Sequence, residues 1–268
     1  MVKLIISDID GTLVPDGSDQ INPVIFEVIH ELRKRGVIFV AASGRQFVSI
    51  KKLFAPVAEE IYYITDGGSI IRNCDDIYSS EVIDQKVARE MAADILSIPG
   101  CDMMLCGKKC VYVLDSKSKM SIWLRNSYHF DVMQIPDLQT PIDDDIVKVS
   151  LYHVNDAENK AAESFIPKWQ NRFQMSCAGK MWIDCSSKLA NKGIALQKLQ
   201  KILHVTEEET MAFGDNLNDI EMLQHASFSI AIGNAREEVK KAAKYIADTN
   251  VNDGVLKAMQ KLLQSMVS

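Results

Sequence analysis

Leu4-Ile5-Ile6-Ser7-Asp8-Ile9-Asp10-Gly11-Thr12 is the stretch on which the fold turns. Its first three residues form a short continuous apolar run, the pattern of a strand buried on both faces of a parallel sheet. The run gives way to two acidic residues and an Asp-Gly turn, so a buried strand delivers Asp8 and Asp10 to its carboxyl end. In open α/β sheets that edge is where ligands bind. Turn-rich chain continues through Gly17-Ser18-Asp19, and a helix then begins. Asn22 suits its N-cap and Pro23 its first helical position; Val24, Ile25, Val28, Ile29 and Leu32 make one apolar stripe, closed by Gly36.

The pattern repeats downstream. Val37 to Ala42 reads as a second buried strand, Ser43-Gly44-Arg45 as a turn, Gln46 to Leu53 as a helix, and Tyr62 to Thr65 as a third strand ending at Asp66-Gly67-Gly68. Strand–helix–strand alternation predicts a parallel sheet with right-handed crossovers. From about residue 83 the grammar changes. A helix over 84–97 leads to a hairpin, Met103 to Cys106 and Cys110 to Leu114, turning at Gly107-Lys108-Lys109. A helix over 117–128, a strand over 146–152 and a helix over 157–170 precede a second hairpin, which turns at Ala178-Gly179-Lys180. Hairpins imply an antiparallel sheet with helices on one face. The α/β grammar returns at Asn191, which caps a helix Lys192–Leu203; Met211 to Phe213 is then a strand ending at Gly214-Asp215. A helix near 220–225, a strand Phe228 to Ile232 and helices near 237–244 and 254–266 complete the chain. The expectation is a Rossmann-like parallel-sheet core from residues 1–82 and 186–268, interrupted by an inserted α+β domain at 83–185.

Bulk composition narrows the function. A chain of 268 residues with 47% hydrophobic and 25% charged residues is an ordinary globular balance. A net charge of −6 supplies no overall basic field for nucleic acid. No apolar run approaches the roughly 20 residues of a membrane helix. The amino terminus meets Asp8 too soon for a secretory signal, so a cytoplasmic protein is expected. The six cysteines include no Cys-x-x-Cys pair; Cys101, Cys106 and Cys110 read as reduced, half-buried strand residues rather than zinc ligands.

Several groups with phosphoryl-transfer chemistry fall at the carboxyl ends of the predicted strands. Asp8, Asp10, Asp66, Asp215 and Asp219 would repel one another there unless a cation neutralised them, and hard oxygen donors favour Mg²⁺. Ser43-Gly44 stands where a strand passes into a helix, with a hydroxyl and backbone N–H groups available to an anion. Lys192, at a helix start, adds a positive charge suited to phosphate. Each piece alone has an ordinary reading: Asp-Gly is a common turn, a Lys early in a helix is usually solvated, and Gly214-Asp215-Asn216-Leu217-Asn218-Asp219 is compatible with a capped turn. Their joint order is the informative feature.

That order resembles the haloacid dehalogenase-like phosphatases, specifically the Cof-type branch with a type IIB cap. Asp8-Ile9-Asp10-Gly11-Thr12 is similar to the family's first motif, Ser43 to its second, Lys192 within Asn191-Lys192-Gly193 to its third, and Gly214 to Asp219 to its fourth. Ile232-Gly233-Asn234-Ala235 and Asn252-Asp253-Gly254-Val255 also fit. One departure stands out: the branch usually carries Asn-Gly-Ala where this chain has Asp66-Gly67-Gly68.

The resemblance implies a mechanism. Asp8 is the nucleophile that becomes an aspartyl phosphate, and Asp10 protonates the leaving oxygen and later activates water. Mg²⁺ is held by Asp8, the Asp10 backbone carbonyl and Asp215, with Asp219 as ligand or support. Thr12, Ser43, Gly44 and Lys192 bind the phosphoryl group, and Asn218 helps to orient it or Asp215. The inserted domain selects a small phosphorylated metabolite, with sugar phosphates the leading class, and a monomer is the expected state. Trp123, Trp169 and Trp182 read as packing residues rather than stacking platforms. The rival readings are a phosphomutase, which returns the group to a sugar, and a catalytically silent phosphosugar-binding protein.

Overall fold

A computed structural model describes residues 1–266 apart from Gly17, Asp19 and Gly179. The first piece of the core runs β1 (Leu4–Asp8), α1 (Val24–Lys34), β2 (Ile38–Ala42), α2 (Phe47–Leu53), β3 (Tyr62–Thr65), β4 (Ile70–Arg72) and β5 (Ile77–Ser80). An inserted stretch follows with α3 (Gln85–Leu96), β6 (Asp102–Gly107), β7 (Val111–Val113), α4 (Lys119–Tyr128), β8 (Val132–Gln134) and β9 (Ile146–Tyr152). It ends with α5 (Ala157–Ala162), α6 (Phe165–Trp169), β10 (Phe173–Ala178) and β11 (Trp182–Ser187). The chain then returns through α7 (Lys192–Leu203), β12 (Thr210–Gly214), α8 (Ile220–Gln224), β13 (Phe228–Ala231), α9 (Glu237–Ala242), β14 (Tyr245–Ile246) and α10 (Gly254–Ser265). Two compact units result: Met1–Ser79 with Asn191–Ser268, and Ser80–Ala190.

In the first unit the strand order is β14-β13-β12-β1-β2-β3-β4-β5, with β1 at the centre, parallel to β2 and β12. All five residues of β1 are buried because both faces of the sheet are covered. Ile5, Phe39, Phe213 and Tyr63 pack with α1 and α10; their strand neighbours Leu4, Ile6, Val40 and Ala212 pack with α7, α8 and α9. That is the period-2 alternation of a doubly covered sheet. The sheet is not wholly parallel, since β4 runs antiparallel to β3. On α1 the buried stripe is Ile25, Val28, Ile29 and Leu32, whereas Val24 is exposed. The helix starts one residue later than expected: Asn22 Oδ1 accepts the Val24 N–H at 3.1 Å, with Pro23 at the cap position.

The second unit holds a six-stranded sheet, β10-β11-β9-β6-β7-β8, antiparallel except for the β7–β8 pair. Ala88, Met91 and Ile95 of α3, Ala157 and Ala161 of α5, and Phe165 and Trp169 of α6 pack on Leu105, Val149, Leu151 and Ile183. The helix expected over 157–170 is in fact two short ones. Pro167 explains the break: it has no N–H to give, and its ring crowds the carbonyl four residues back, at Glu163. The helices are also not confined to one face. Trp123 of α4 stacks on Trp182, ring centroids 5.9 Å apart and 19° between planes. Trp182 points opposite to its neighbour Ile183, which belongs to the core under α3. All three tryptophans pack: Trp169 is buried, with its Nε1–H donated to Asp94 at 2.8 Å. The second hairpin forms as β10–β11, with Gly179 of its turn outside the described residues. Cys106 and Cys110 are buried and Cys101 is half-buried, and all six cysteines are free.

Candidate active site

Strand register assembles the site. Asp8, the last residue of β1, pairs with Ala42 of β2, so Ser43 follows at the same level. On the other side Ser7 pairs with Phe213, which places Gly214 at the end of β12 and Asp215 just beyond it. Three chain segments distant in sequence therefore leave the sheet together at its carboxyl edge.

Lys192 enters from α7. Asn191 caps that helix by accepting the Ile194 N–H at 2.7 Å, which fixes Lys192 as the first helical residue. The side chain is 2% exposed, and its Nζ donates to Asp8 Oδ1 and, at 2.7 Å, to Asp219 Oδ1. Asp219 is fully buried, and its Oδ2 accepts the backbone N–H groups of Asp215 and Asn216 at 3.1 Å each. Both Asp219 oxygens are thus engaged in holding the turn and the lysine. Asp215 Oδ1 accepts the Thr12 hydroxyl at 2.6 Å. The Thr12 side chain, wholly buried, is committed to that carboxylate. Gly11, at φ +85°, lies so close that a Cβ there would stand 2.5 Å from the Asp215 carboxylate. The Gly11 carbonyl is held in turn by the amides of Asn234 at 2.8 Å and Asn250 at 3.0 Å.

Asp10 lies on the other side of the β1 end. Arg45 forks onto it, Nε to Oδ2 at 2.9 Å and Nη2 to Oδ1 at 2.5 Å, and the Ser43 hydroxyl lies 3.5 Å from Oδ2. Ser43 is buried and its Oγ accepts the Arg45 N–H at 3.1 Å. The turn Asp66–Gly68 locks this loop: the Asp66 N–H donates to the Arg45 carbonyl at 3.1 Å and the Gly67 N–H to the Ser43 carbonyl at 3.0 Å. Gly68, at φ +109°, packs directly on the Asn191 backbone, where any Cβ would collide.

The electrostatics leave negative charge in excess. Asp8, Asp215 and Asp219 offer oxygens all within 4.8 Å of one another, against the one ammonium of Lys192. Burial, and then the Asp219 charge, push the Asp8 carboxyl well above its usual range although Lys192 pulls the other way. Burial likewise pushes Asp215 up to about 6; the Thr12 hydrogen bond opposes this and Asp219 adds to it. On Lys192, burial alone would favour loss of the proton, but Asp219 and Asp8 outweigh it and the net displacement is upward. Three clustered carboxylates, Asp8 and Asp215 among them pushed upward, offer hard oxygen donors with no His or Cys, a set that fits a divalent cation of the Mg²⁺ type.

The structure therefore brings Asp8, Lys192, Asp215, Asp219 and Thr12 into one hydrogen-bonded cluster, with Asp10 and Ser43 in a second one beside it. Asn218 sits exposed on the turn Leu217–Asp219; the Asp215 segment is oriented by Thr12 and Asp219 instead. Two participants were not singled out from sequence. Arg45 read only as part of a turn, and a signal was available in its place two residues after Ser43. Asn250 carries no local signal, since it reaches Gly11 only through the fold.

Known proteins resemble this chain over nearly its whole length. The relative YbjI of Escherichia coli, a 5-amino-6-(5-phospho-D-ribitylamino)uracil phosphatase, is 27% identical, covering 98% of this chain and 97% of its own. A crystal structure from Eubacterium rectale is 38% identical and superposes with a TM-score of 0.90 over 97% of this chain and 99% of the other. The subclass IIB sugar phosphatase BT4131 shares the fold, with a TM-score of 0.79 at 23% identity over 97% and 99% of the two chains. The sequence model of the haloacid dehalogenase-like hydrolases matches residues 5–259. With nearly the whole chain matched and Asp8, Lys192 and Asp215 gathered at the sheet edge, this protein belongs to the haloacid dehalogenase-like hydrolase family, as one of its phosphatases.

Proposed function

We propose that this chain is a Mg²⁺-dependent phosphatase that cleaves the phosphate ester of a small, polyhydroxylated metabolite through an aspartyl phosphate on Asp8. The observation that carries the reading is the buried Asp8 carboxylate, held by Lys192 at the meeting point of three strand ends. An Asp8 oxygen attacks phosphorus as the bond to the leaving oxygen breaks, and Asp10 gives that oxygen its proton. In the second half, a water gives a proton to Asp10 as its oxygen attacks phosphorus, releasing inorganic phosphate and restoring the Asp8 carboxylate. Lys192, the Ser43 hydroxyl and the Gly44 backbone hold the phosphoryl oxygens, and Asn218 lies at the rim to assist. A Mg²⁺ ion held by Asp8, Asp215 and the Asp10 carbonyl, with Asp219 supporting them, would screen the nucleophile from the anionic phosphate.

The unit Ser80–Ala190 corresponds to the family's cap and is assigned the choice among substrates. Sugar phosphates lead, and the phosphorylated ribityl compound named for YbjI shares their polyol chain. We place the enzyme in the cytoplasm as a monomer; no helix among the described residues is long and apolar enough to cross a membrane. The test is release of inorganic phosphate from a panel of sugar phosphates, nucleotides and ribityl phosphates, with Mg²⁺ and with EDTA. Magnesium-dependent release strongest on one polyol phosphate is the expected result. Full activity in excess chelator contradicts the metal assignment, and transfer of phosphate to a second sugar hydroxyl instead of water points to a mutase.

A further inference from the structure

Arg45 is a cation of this site that the phosphatase reading does not use. Its side chain is 5% exposed, against 28% for the Asp10 side chain that it grips. The two donors of the fork meet both carboxylate oxygens, and Nη2 also donates to the Ser18 carbonyl at 2.9 Å. The Arg45 main chain is anchored as well, its N–H on Ser43 Oγ and its carbonyl under the Asp66 N–H. The guanidinium is thus a buried, pre-set floor, and Asp10 is the more accessible group that stands on it. A planar fork fixes the orientation of a carboxylate in a way that a point charge does not. Misplacing a reacting group by about 1 Å costs on the order of 100-fold in rate.

We propose that Arg45 is a positioning residue: it sets the Asp10 carboxyl plane so that its proton meets the leaving oxygen. The inference rests on the reading of Asp10 as proton donor and acceptor. A carboxylate has about four lone-pair sites, so a two-bond fork does not saturate it. When the bond from phosphorus to the leaving oxygen breaks, the Asp10 proton moves to that oxygen while the fork keeps the carboxyl group in place. The link to Ser43 adds that the loop holding the phosphoryl group and the group protonating the leaving oxygen are set by one side chain.

A residue that acts through the general acid matters most where the leaving group is poor. An alkoxide needs the proton, whereas nitrophenolate leaves without it. Arg45→Met is expected to slow the first turnover on glycerol phosphate, read as glycerol release under single-turnover conditions, by about 10- to 100-fold, yet to slow the nitrophenolate burst from para-nitrophenyl phosphate by less than about threefold; steady-state turnover falls on both, since Asp10 also activates the hydrolytic water. Arg45→Lys, which keeps the charge and loses the fork, gives the same selectivity at intermediate size, and it carries the test should the methionine variant not fold. Asp10→Asn is measured alongside. Equal losses of the first-turnover rate on both substrates in the Arg45 variants, with selective loss of that rate in Asp10→Asn, overturn the positioning role alone. Equal losses in Asp10→Asn as well overturn the assignment of Asp10 on which it rests.

Discussion

Lys192 ties two carboxylates together where none of the three side chains is more than 7% exposed, and the consequences differ for the two. Asp219 uses its other oxygen to hold two backbone N–H groups, so its loss leaves the buried ammonium with Asp8 alone and opens the Asp215 turn at once. Removing one partner of a buried charge pair costs about 3–5 kcal/mol. Asp219→Ala is expected to lose that much stability in urea unfolding, together with its activity; a loss under about 1 kcal/mol would show that the pair is solvated in practice. Asp8 has no such scaffolding duty beyond Lys192. Asp8→Asn is expected to keep the circular dichroism spectrum and to lose at least about 1,000-fold in kcat, as removal of a covalent nucleophile does. Near-normal turnover by that variant would remove Asp8 from the mechanism. At this scale much was legible in advance, because Asp8, Ser43, Lys192 and Asp215 each follow a buried strand or open a helix. Thr12 was assigned to the phosphate and lies instead on Asp215, a pairing of residues 203 positions apart that no local pattern announces.

Elements position these groups through their ends. Asn191 and Asp84 are both side-chain caps, Asn191 on α7 beside the site and Asp84 on α3 of the inserted unit, where it accepts the Lys86 and Val87 N–H groups at 3.0 and 3.1 Å. Replacing either by Ala is expected to cost about 1 kcal/mol. Only Asn191→Ala is expected to raise KM as well, because Lys192 is the next residue; equal kinetics in the two variants would deny the cap any part in placing the lysine. The turn Asp66–Gly68 has a similar bridging task, with N–H groups on the Ser43 loop and Gly68 against the start of α7. Its departure from the family's usual Asn-Gly-Ala was visible in sequence, but its contacts were not. Strong apolar periodicity made β1, β2, β9, α3 and α7 readable. The short strands β4, β5, β8 and β14, at or next to the sheet edges, went unread because two to four residues are too few to show a period, and pairing rather than propensity makes them strands. Pro167 is the opposite case, a local signal that the apolar pattern of 157–170 outweighed.

At the scale of the whole chain, two hydrophobic cores are built from different strands and helices, one doubly covered and one under α3, α5 and α6. Residues 80–190 bury their own apolar side chains among themselves, so this segment expressed alone is expected to unfold cooperatively on heating, with a native-like near-ultraviolet spectrum. A broad, featureless melt would mean that its core depends on the rest of the chain. The division was readable because the grammar switches from βαβ alternation to hairpins and back. The placement of α4 on the second face of the inserted sheet was not, because it depends on the contact between Trp123 and Trp182.

Covalent phosphorylation of Asp8, with Asp10 needed to hydrolyse it, leaves a direct kinetic and chemical trace. Asp10→Asn is mixed rapidly with para-nitrophenyl phosphate in Mg²⁺, nitrophenolate is followed, and the acid-quenched protein is digested for mass spectrometry. The expected result is a burst of about one nitrophenolate per enzyme molecule, followed by slow turnover, with phosphate on the peptide that contains Asp8 and lost on treatment with hydroxylamine. Steady release without a burst, and no phosphate on that peptide, would contradict it.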